Sequence, residues 1–569
     1  MDNPNEGVQS PSTSPISRLH ADILWLIFLR NTDVQDFLIS SSQNIFQPDS
    51  EVTQDSVLDT TLISARVCQR WRSLLLNWPA LWGRVLLLNR LHQLGKEGRE
   101  EIVRRTGTAP LYLIGDVTSI AQIVDEFVGP LLKANWERVR MIHIQAEKHV
   151  IRSESLWNTF ILKSPMLEWF SVEGAAWSQQ RVIPEDLVVD LFGDFAPQLR
   201  VFRCDTVAFT LSGSRWFNNL QELHLASTGV QPSNVLNNLK QMPLLENLHL
   251  KDLRGNVDHT IASVGPGSIS LPRLVGLSLD LPLCWALLFS KSIKPAENCT
   301  LSFRPDMPTD FFTQKDAAEI IEVLERYADT YFPFHRVSYI NITLAVGQFS
   351  FSVRIAERTS SGLVDLPISQ SNFAVHLNFW GQIAQSVDCS SFLAPFLKHD
   401  LSNIQTLALE IDQLKAGSWN NVRPIIASLR GVETLKVGSR ISTLDVLNRY
   451  HVDETQIFFP ALRALHLESE FFVAFEFEGS FRRFISRRQR ANVSFLRVLN
   501  LGYSPNDDWS FLDEIEGLTV VWAENEDFEY TCGSGSPWEL TFSDSEIEDD
   551  SMEELAAAIG FPIRRQRRW

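Results

Sequence analysis

Residues 220–225 read Leu-Gln-Glu-Leu-His-Leu, residues 245–250 read Leu-Glu-Asn-Leu-His-Leu, and residues 274–279 read Leu-Val-Gly-Leu-Ser-Leu. All three share one frame, apolar-x-x-apolar-x-apolar, whose last positions alternate as a half-buried strand does. Upstream the frame recurs as Val139-x-x-Ile142-x-Ile144, Leu167-x-x-Phe170-x-Val172 and Leu199-x-x-Phe202-x-Cys204. Downstream it recurs as Val337-x-x-Ile340-x-Ile342, Ile404-x-x-Leu407-x-Leu409, Val432-x-x-Leu435-x-Val437, Leu462-x-x-Leu465-x-Leu467 and Leu496-x-x-Leu499-x-Leu501. Successive starts lie 21 to 34 residues apart, except for two steps of 63 and 67. Each long step holds one degenerate copy, around Leu301 and Phe303 and around Val375 and Leu377, with Asn298 and Asn372 in the first apolar place.

The copies together span about residues 139–505. Proline stands two places before the first apolar residue in five of them, at Pro165, Pro197, Pro243, Pro272 and Pro460. Proline suits a chain about to enter a strand, where no ladder N–H is required. Period and pattern resemble a leucine-rich repeat, which implies one parallel strand and one irregular or helical return per turn. Stacked turns bury a continuous core. That accounts for 569 residues in a chain far longer than one compact core usually holds, about 250–300. The asparagine or cysteine that usually follows such a strand is mostly missing; Thr228, Pro282, Asp412 and Glu470 stand there instead. The expected fold class is therefore α/β, with an irregular, curved solenoid over residues 136–523.

Composition narrows the function classes. The net charge of −18 argues against a general nucleic-acid binder or a ligand for anionic membranes. Cysteines at 68, 204, 284, 299, 389 and 532 form no CxxC pair and no zinc spacing, which suits a reducing cytoplasmic or nuclear compartment. The first residues have no basic and apolar leader pattern, so no secretory signal is expected. The absence of any apolar run of about 18 residues predicts no transmembrane helix. There is no GxxxxGK[ST], GxGxxG after a strand, HExxH or GxSxG, so an enzyme is not expected. No cofactor and no metal are expected either. His224 and His249 share a register in adjacent copies, but no cysteine or carboxylate completes a coordination set.

Before the repeats lies a different segment. Residues 1–15 are rich in Ser, Pro and Asn and are expected to be disordered. Ile23, Leu24, Ile27 and Phe28 recur at helical spacing, and Asn31-Thr32-Asp33 supplies a stop. A polar insertion follows at about 33–56. A second helix is predicted from Val57, with Ile63, Val67, Trp71, Leu74 and Leu75 on one face, ending at Trp78-Pro79. The order Leu19-x-x-Asp22-Ile23-Leu24-x-x-Ile27-Phe28, then Ala65-Arg66-Val67-Cys68-Gln69-Arg70-Trp71-Arg72, then Trp78-Pro79-Ala80-Leu81-Trp82 resembles the F-box-like domains abundant in mushroom-forming fungi. His20 stands where that family prefers proline, and Asp22 where it prefers glutamate. Val103-Arg104-Arg105-Thr106-Gly107-Thr108-Ala109-Pro110-Leu111 also resembles the segment that leads there into the first strand.

The resemblance implies an F-box module over residues 16–92, a transition segment over 93–135, and docking of a Skp-type adaptor that connects to a cullin. The residues carried over as adaptor anchors are Leu19, Ile23, Leu24, Ile27, Phe28, Val67, Cys68, Trp71, Leu81 and Trp82. Some of them hold the module's own core instead, and the residues alone do not divide the two roles. In the repeats, side chains between the apolar positions face the concave side, where solenoids present partners with an extended surface. That row includes His143, Arg203, Glu222, His224, Asn247, His249, Lys251, Ser278, Tyr339, Asn341, Thr406, Lys436, His466 and Asn500. After Glu524 the composition turns acidic, from Asp544 to Glu554, then basic at Arg564-Arg565-Gln566-Arg567-Arg568. This tail, 524–569, is read as disordered, its basic end open to nuclear import or to pairing with the acidic block. The expected function is that of a substrate-recognition subunit of an SCF-type ubiquitin ligase, with a target protein on the repeats. The alternative is a non-degradative interaction scaffold with a degenerate F-box.

Overall fold

A computed structural model of the chain describes residues 19–32, 56–117, 124–146, 154–174, 190–205, 209, 215–228, 230–253, 265–307, 312–345, 350–357, 373–378, 388–411, 418–438, 442–449, 457–467, 474–491, 493, 495–501, 508–522 and 529–540. The expected disordered N-terminus, nearly all of the insertion and the charged end of the tail lie outside these residues. The chain divides into two units, Met1–Asp306 with Asp365–Ser371, and Met307–Val364 with Asn372–Trp569.

Unit 1 starts with short helices. Helix α1 spans Ala21–Asn31, α2 Ser56–Val67, α3 Gln69–Leu76 and α4 Pro79–Arg84. The single helix expected from Val57 to Trp78 is thus two. At Cys68 the backbone is extended (φ −156°, ψ 165°), and the thiol takes over as N-cap, accepting from the Trp71 amide at 3.4 Å. Pro79 then opens α4 at a first-turn position, where its missing N–H costs nothing.

The strands of unit 1 are β1 (Leu86–Leu87), β2 (Leu111–Asp116), β3 (Val139–Ala146), β4 (Trp169–Gly174), β5 (Val201–Asp205), β6 (Glu222–Ala226), β7 (Asn247–Lys251), β8 (Ile269–Ser270), β9 (Gly276–Asp280), β10 (Ile293–Lys294) and β11 (Thr300–Phe303). All but β8 and β10 join one parallel sheet in the order β1-β2-β3-β4-β5-β6-β7-β9-β11; β8 and β10 pair separately. The sheet begins earlier than the repeat pattern predicts, inside the segment assigned to the helical module and through the assigned transition segment. The degenerate copy at Leu301 and Phe303 is a regular strand of it.

Register turns the sequence frame into two apolar rows. One runs Ile142, Phe170, Phe202, Leu223, Leu248, Leu277, Leu301; the other runs Ile144, Val172, Cys204, Leu225, Leu250, Leu279, Phe303. Every one of these side chains is buried. Burying a large aliphatic or aromatic side chain contributes about 1.5–3 kcal/mol each, so the rows outweigh any single polar contact. The first apolar residue of most copies lies in the turn ahead of the strand. Leu199, Leu220, Leu245 and Leu274 are buried there, and each amide bonds the carbonyl three residues back. Aromatic rings thicken the core: Phe170 and Phe202 stack at 5.4 Å, with Phe192, Phe209 and Trp216 packed against them.

Unit 2 holds β12 (Val337–Ala345), β13 (Ser350–Glu357), β14 (Phe373–Asn378), β15 (Thr406–Ile411), β16 (Thr434–Val437), β17 (Ala464–Leu467), β18 (Val498–Asn500), β19 (Thr519–Val521) and β20 (Glu529–Thr531). Strands β12, β15, β16, β17, β18 and β19 are parallel in that order. One parallel strand per repeat fails at two places. Strand β13 is antiparallel to both β12 and β14, so the degenerate copy at Val375 and Leu377 belongs to a meander and not to a repeat turn. For the step from β12 to β13 the reason is chain length: the four residues 346–349 are too few for a parallel crossover, which needs about a dozen. Strand β20 is antiparallel to β19. It lies within the segment read as a disordered tail, and the Trp509 amide bonds the Leu540 carbonyl at 3.1 Å. Ile515-x-x-Leu518-x-Val520 is a further copy of the frame that builds β19.

Helices α5 (Gln314–Tyr331), α6 (Ser442–Arg449) and α7 (Ala474–Arg490) belong to unit 2. Helix α5 opens on a capping box between Thr313 and Asp316.

Candidate functional site

Two surfaces merit description, one on the helical module and one on the polar face of each sheet. In the module, α1 starts without the proline that the resemblance prefers. His20 is its N-cap, with Nδ1 accepting from the Asp22 amide at 3.4 Å. Thr32 ends the helix, its hydroxyl donating to the Leu29 carbonyl at 2.9 Å. Leu24 and Phe28, one turn apart, are buried; the Phe28 ring meets Trp71 edge-on at 5.1 Å, and Trp25 meets Trp78 at 4.0 Å. Trp82 is fully buried, its indole N–H donating to the Leu75 carbonyl at 2.9 Å and Arg105 lying over its ring.

Packing therefore divides the carried-over anchors. Leu24, Phe28, Leu81 and Trp82 form core. Leu19 and Trp71 are half-buried, with the Leu19 carbonyl accepting from Arg70. Ile23, Ile27, Val67 and Cys68 are exposed. Leu26, Ile63 and Leu76 join them among the exposed apolar side chains, although none was assigned as an anchor. Leu26 was findable, since with Ile23 and Ile27 it completes an i, i+3, i+4 stripe. Leu26 is 62% exposed and Val67 60%, in a protein whose other large apolar side chains are mostly buried.

On the sheet of unit 1, the alternation puts the predicted polar row on one face. Register lines up His143, Ser171, Arg203, His224, His249, Ser278 and Ser302 across successive strands. A second line runs Trp169, Val201, Glu222, Asn247, Gly276 and Thr300 beside it. Arg203, buried among these, pairs through Nε with Glu222 at 2.5 Å and lies 5.1 Å over the Trp169 ring. The Ser171 hydroxyl donates to Glu173 at 2.8 Å, which leaves its oxygen to accept from His143 Nδ1 at 2.9 Å. Ser171 is fully buried and its proton is committed, so it offers no exposed nucleophile.

The rings of His224 and His249 sit 4.1 Å apart. Desolvation, with each other's charge and that of Arg203 and Lys251 against them, holds His224 well below the usual imidazole range. Desolvation and then Lys251 lower His249 to about 4. Desolvation lowers His143 too, opposed by Glu173. These imidazoles are neutral near pH 7, each able to donate and accept one hydrogen bond. Asn247 and Lys251 are exposed, and Glu222 and Ser278 are half-buried. Among the described residues no three His, Cys, Asp or Glu side chains converge to hold a metal ion.

In unit 2 the matching lines run Tyr339, Thr406, Thr434, Ala464, Val498, Thr519 and Asn341, Ala408, Lys436, His466, Asn500, Val521. Tyr339, Asn341, His466 and Asn500 are half-buried, while Lys436 and Thr406 are buried. No helix among the described residues is long and apolar enough to cross a membrane. No protein-family model matches the chain, and no curated protein matches it.

Proposed function

We propose that the chain is the substrate-recognition subunit of an SCF-type ubiquitin ligase. In this reading α1 to α4 are an F-box that docks a Skp-type adaptor and, through it, a cullin. The two sheets are irregular leucine-rich-repeat segments whose polar faces bind a target protein. The chain forms no bonds itself; it raises the target's effective concentration beside a charged conjugating enzyme. Such a role belongs to the cytoplasm or the nucleus.

The observation that carries the reading is the exposed apolar set Ile23, Leu26, Ile27, Ile63 and Val67 on helices that follow the F-box order of motifs. A folded helical module gains nothing by leaving such side chains in water, whereas a helix-in-groove interface uses them as anchors. The N-cap supplied by His20 also supports it, since the departure from proline leaves the helix start intact.

The test is co-purification with a Skp-type adaptor. The intact chain is expected to bind, and Ile23→Asp with Ile27→Asp to weaken binding more than about tenfold, because buried interface anchors each carry about 2 kcal/mol or more. Unchanged thermal unfolding of that variant separates lost docking from lost folding. An intact chain that fails to bind the adaptor overturns the proposal. Adaptor binding without cullin recruitment favours the non-degradative scaffold.

A further inference from the structure

Helix α7 carries Arg482, Arg483, Arg487, Arg488 and Arg490 in a chain of net charge −18. Two of them are consumed locally. Arg482 pairs with Glu478 at 2.8 Å and with Glu514, and Arg488 is buried, donating to the carbonyls of Phe458, Phe459 and Leu462. The other three, at i, i+4 and i+7, lie along one face of the helix. Arg483 reaches Asp445 at 3.2 Å, and Arg487 donates to the Asn448 carbonyl at the end of α6. Arg490 and Arg449 are exposed and make no ion pair among the described residues. The result is a basic face of four arginines on which Asp445 is the one carboxylate paired with them among the described residues.

The described chain ends close by. Leu540 bonds Trp509, whose ring lies 5.6 Å from that of Phe477 on α7. From Leu540 the chain continues with Asp544, Glu546, Glu548, Asp549, Asp550, Glu553 and Glu554, and no Lys or Arg precedes Arg564. From Phe477 to Arg490 the helix is about 20 Å long at 1.5 Å per residue. An extended segment from 541 to 554 reaches about 45 Å, so it spans the whole basic face.

We propose that the acidic segment Asp544–Glu554 docks in cis on the arginine face formed by Arg449, Arg483, Arg487 and Arg490. Charge complementarity and the point where the described residues end name the occupant. The docked segment would keep that face from other acidic ligands, and salt would release it, since exposed charges are screened beyond roughly 8 Å at physiological ionic strength.

Cleavage of the full-length protein after glutamate by a Glu-specific protease tests this. In low salt, cleavage at Glu546 to Glu554 is expected to be slow. In Arg449→Glu with Arg490→Glu it should speed up about tenfold, the combined size of several exposed ion pairs. High salt should abolish the difference. Replacing Asp549, Asp550, Glu553 and Glu554 by Lys in that variant should restore protection, scored at Glu546 and Glu548, which guards against a variant that merely folds poorly. Equal cleavage of parent and variant overturns the proposal. So does exposure of the segment on deleting only Arg564–Trp569, because the acidic block would then be paired with the chain's own basic end.

Discussion

Unit 1 lines His143, Ser171, Arg203, His224 and His249 across its sheet, whereas unit 2 lines Asn341, Ala408, Lys436, His466 and Asn500 across the equivalent position of its own. Behind both faces stand the same two apolar rows. The rows carry the folding free energy, so the outward positions are free to diverge without changing the ladder. Unit 1 has used that freedom for three histidines and an arginine, and unit 2 for one lysine and one histidine among neutral side chains. The units also treat their turns differently. In unit 1, Arg138 bonds the Ala109 carbonyl, the Thr106 hydroxyl and the Asn135 amide oxygen at the approach to β3. In unit 2, the buried Arg488 donates to three carbonyls of the turn before β17, where Phe459 is left-handed (φ 52°).

The largest expected effect lies in the core of unit 1. Phe202→Ala removes a fully buried ring from four aromatic neighbours and should cost about 3–5 kcal/mol. Amide exchange should quicken in β4, β5 and β6 and stay slow in β15, β16 and β17. Equal loss of protection in both sets would break the division into two units.

Next comes Arg488→Met in unit 2, which keeps the apolar stem and strips the donors from buried carbonyls. It should cost about 2–3 kcal/mol, read from the denaturant midpoint, since buried carbonyls that lose a charged donor are expensive. Burial pushes this guanidinium down to about 10, still charged at neutral pH, so the loss should not depend on pH between 6 and 8. A cost below about 0.5 kcal/mol would mean that water replaces the arginine.

The smallest effect sharpens the contrast between the two polar faces. The folded state holds His249 at about 4, below the ordinary 6.5 of an imidazole. The unfolded chain then binds more protons between these values, so stability is full above pH 6.5 and falls as pH drops toward 4. His224, lowered in the same direction, adds to the fall. The double variant His224→Gln, His249→Gln should flatten the acid limb of unit 1 by on the order of 2 kcal/mol, followed by amide exchange against pH. An acid limb unaffected by the double variant would refute the desolvated pair.

Much of this was legible from residue order. The repeated frame located every strand from β3 to β7, then β9 and, through its degenerate copy, β11. It worked because apolar alternation is read locally. It failed where the chain is too short to cross over, between β12 and β13, and at Ile515-x-x-Leu518-x-Val520, which follows its predecessor too closely to look periodic. The helix break at Cys68 was hidden because apolar periodicity runs through it. The candidate anchors of the module were named as a group, but a stripe such as Leu24 and Phe28 against Ile23 and Ile27 has no inside until a partner element covers one side.

Residue pattern was thus enough for the α/β class, the strand positions in the repeats and the polar identity of the outward rows, because each depends on neighbours two to four residues away. Packing in three dimensions was needed to turn β13 and β14 antiparallel, to bring Arg488 to three distant carbonyls, and to leave Ile23, Ile27 and Val67 exposed while Trp82 sank into the core. Each of those outcomes depends on which surfaces meet across tens of residues, and burial, not spacing, decides that.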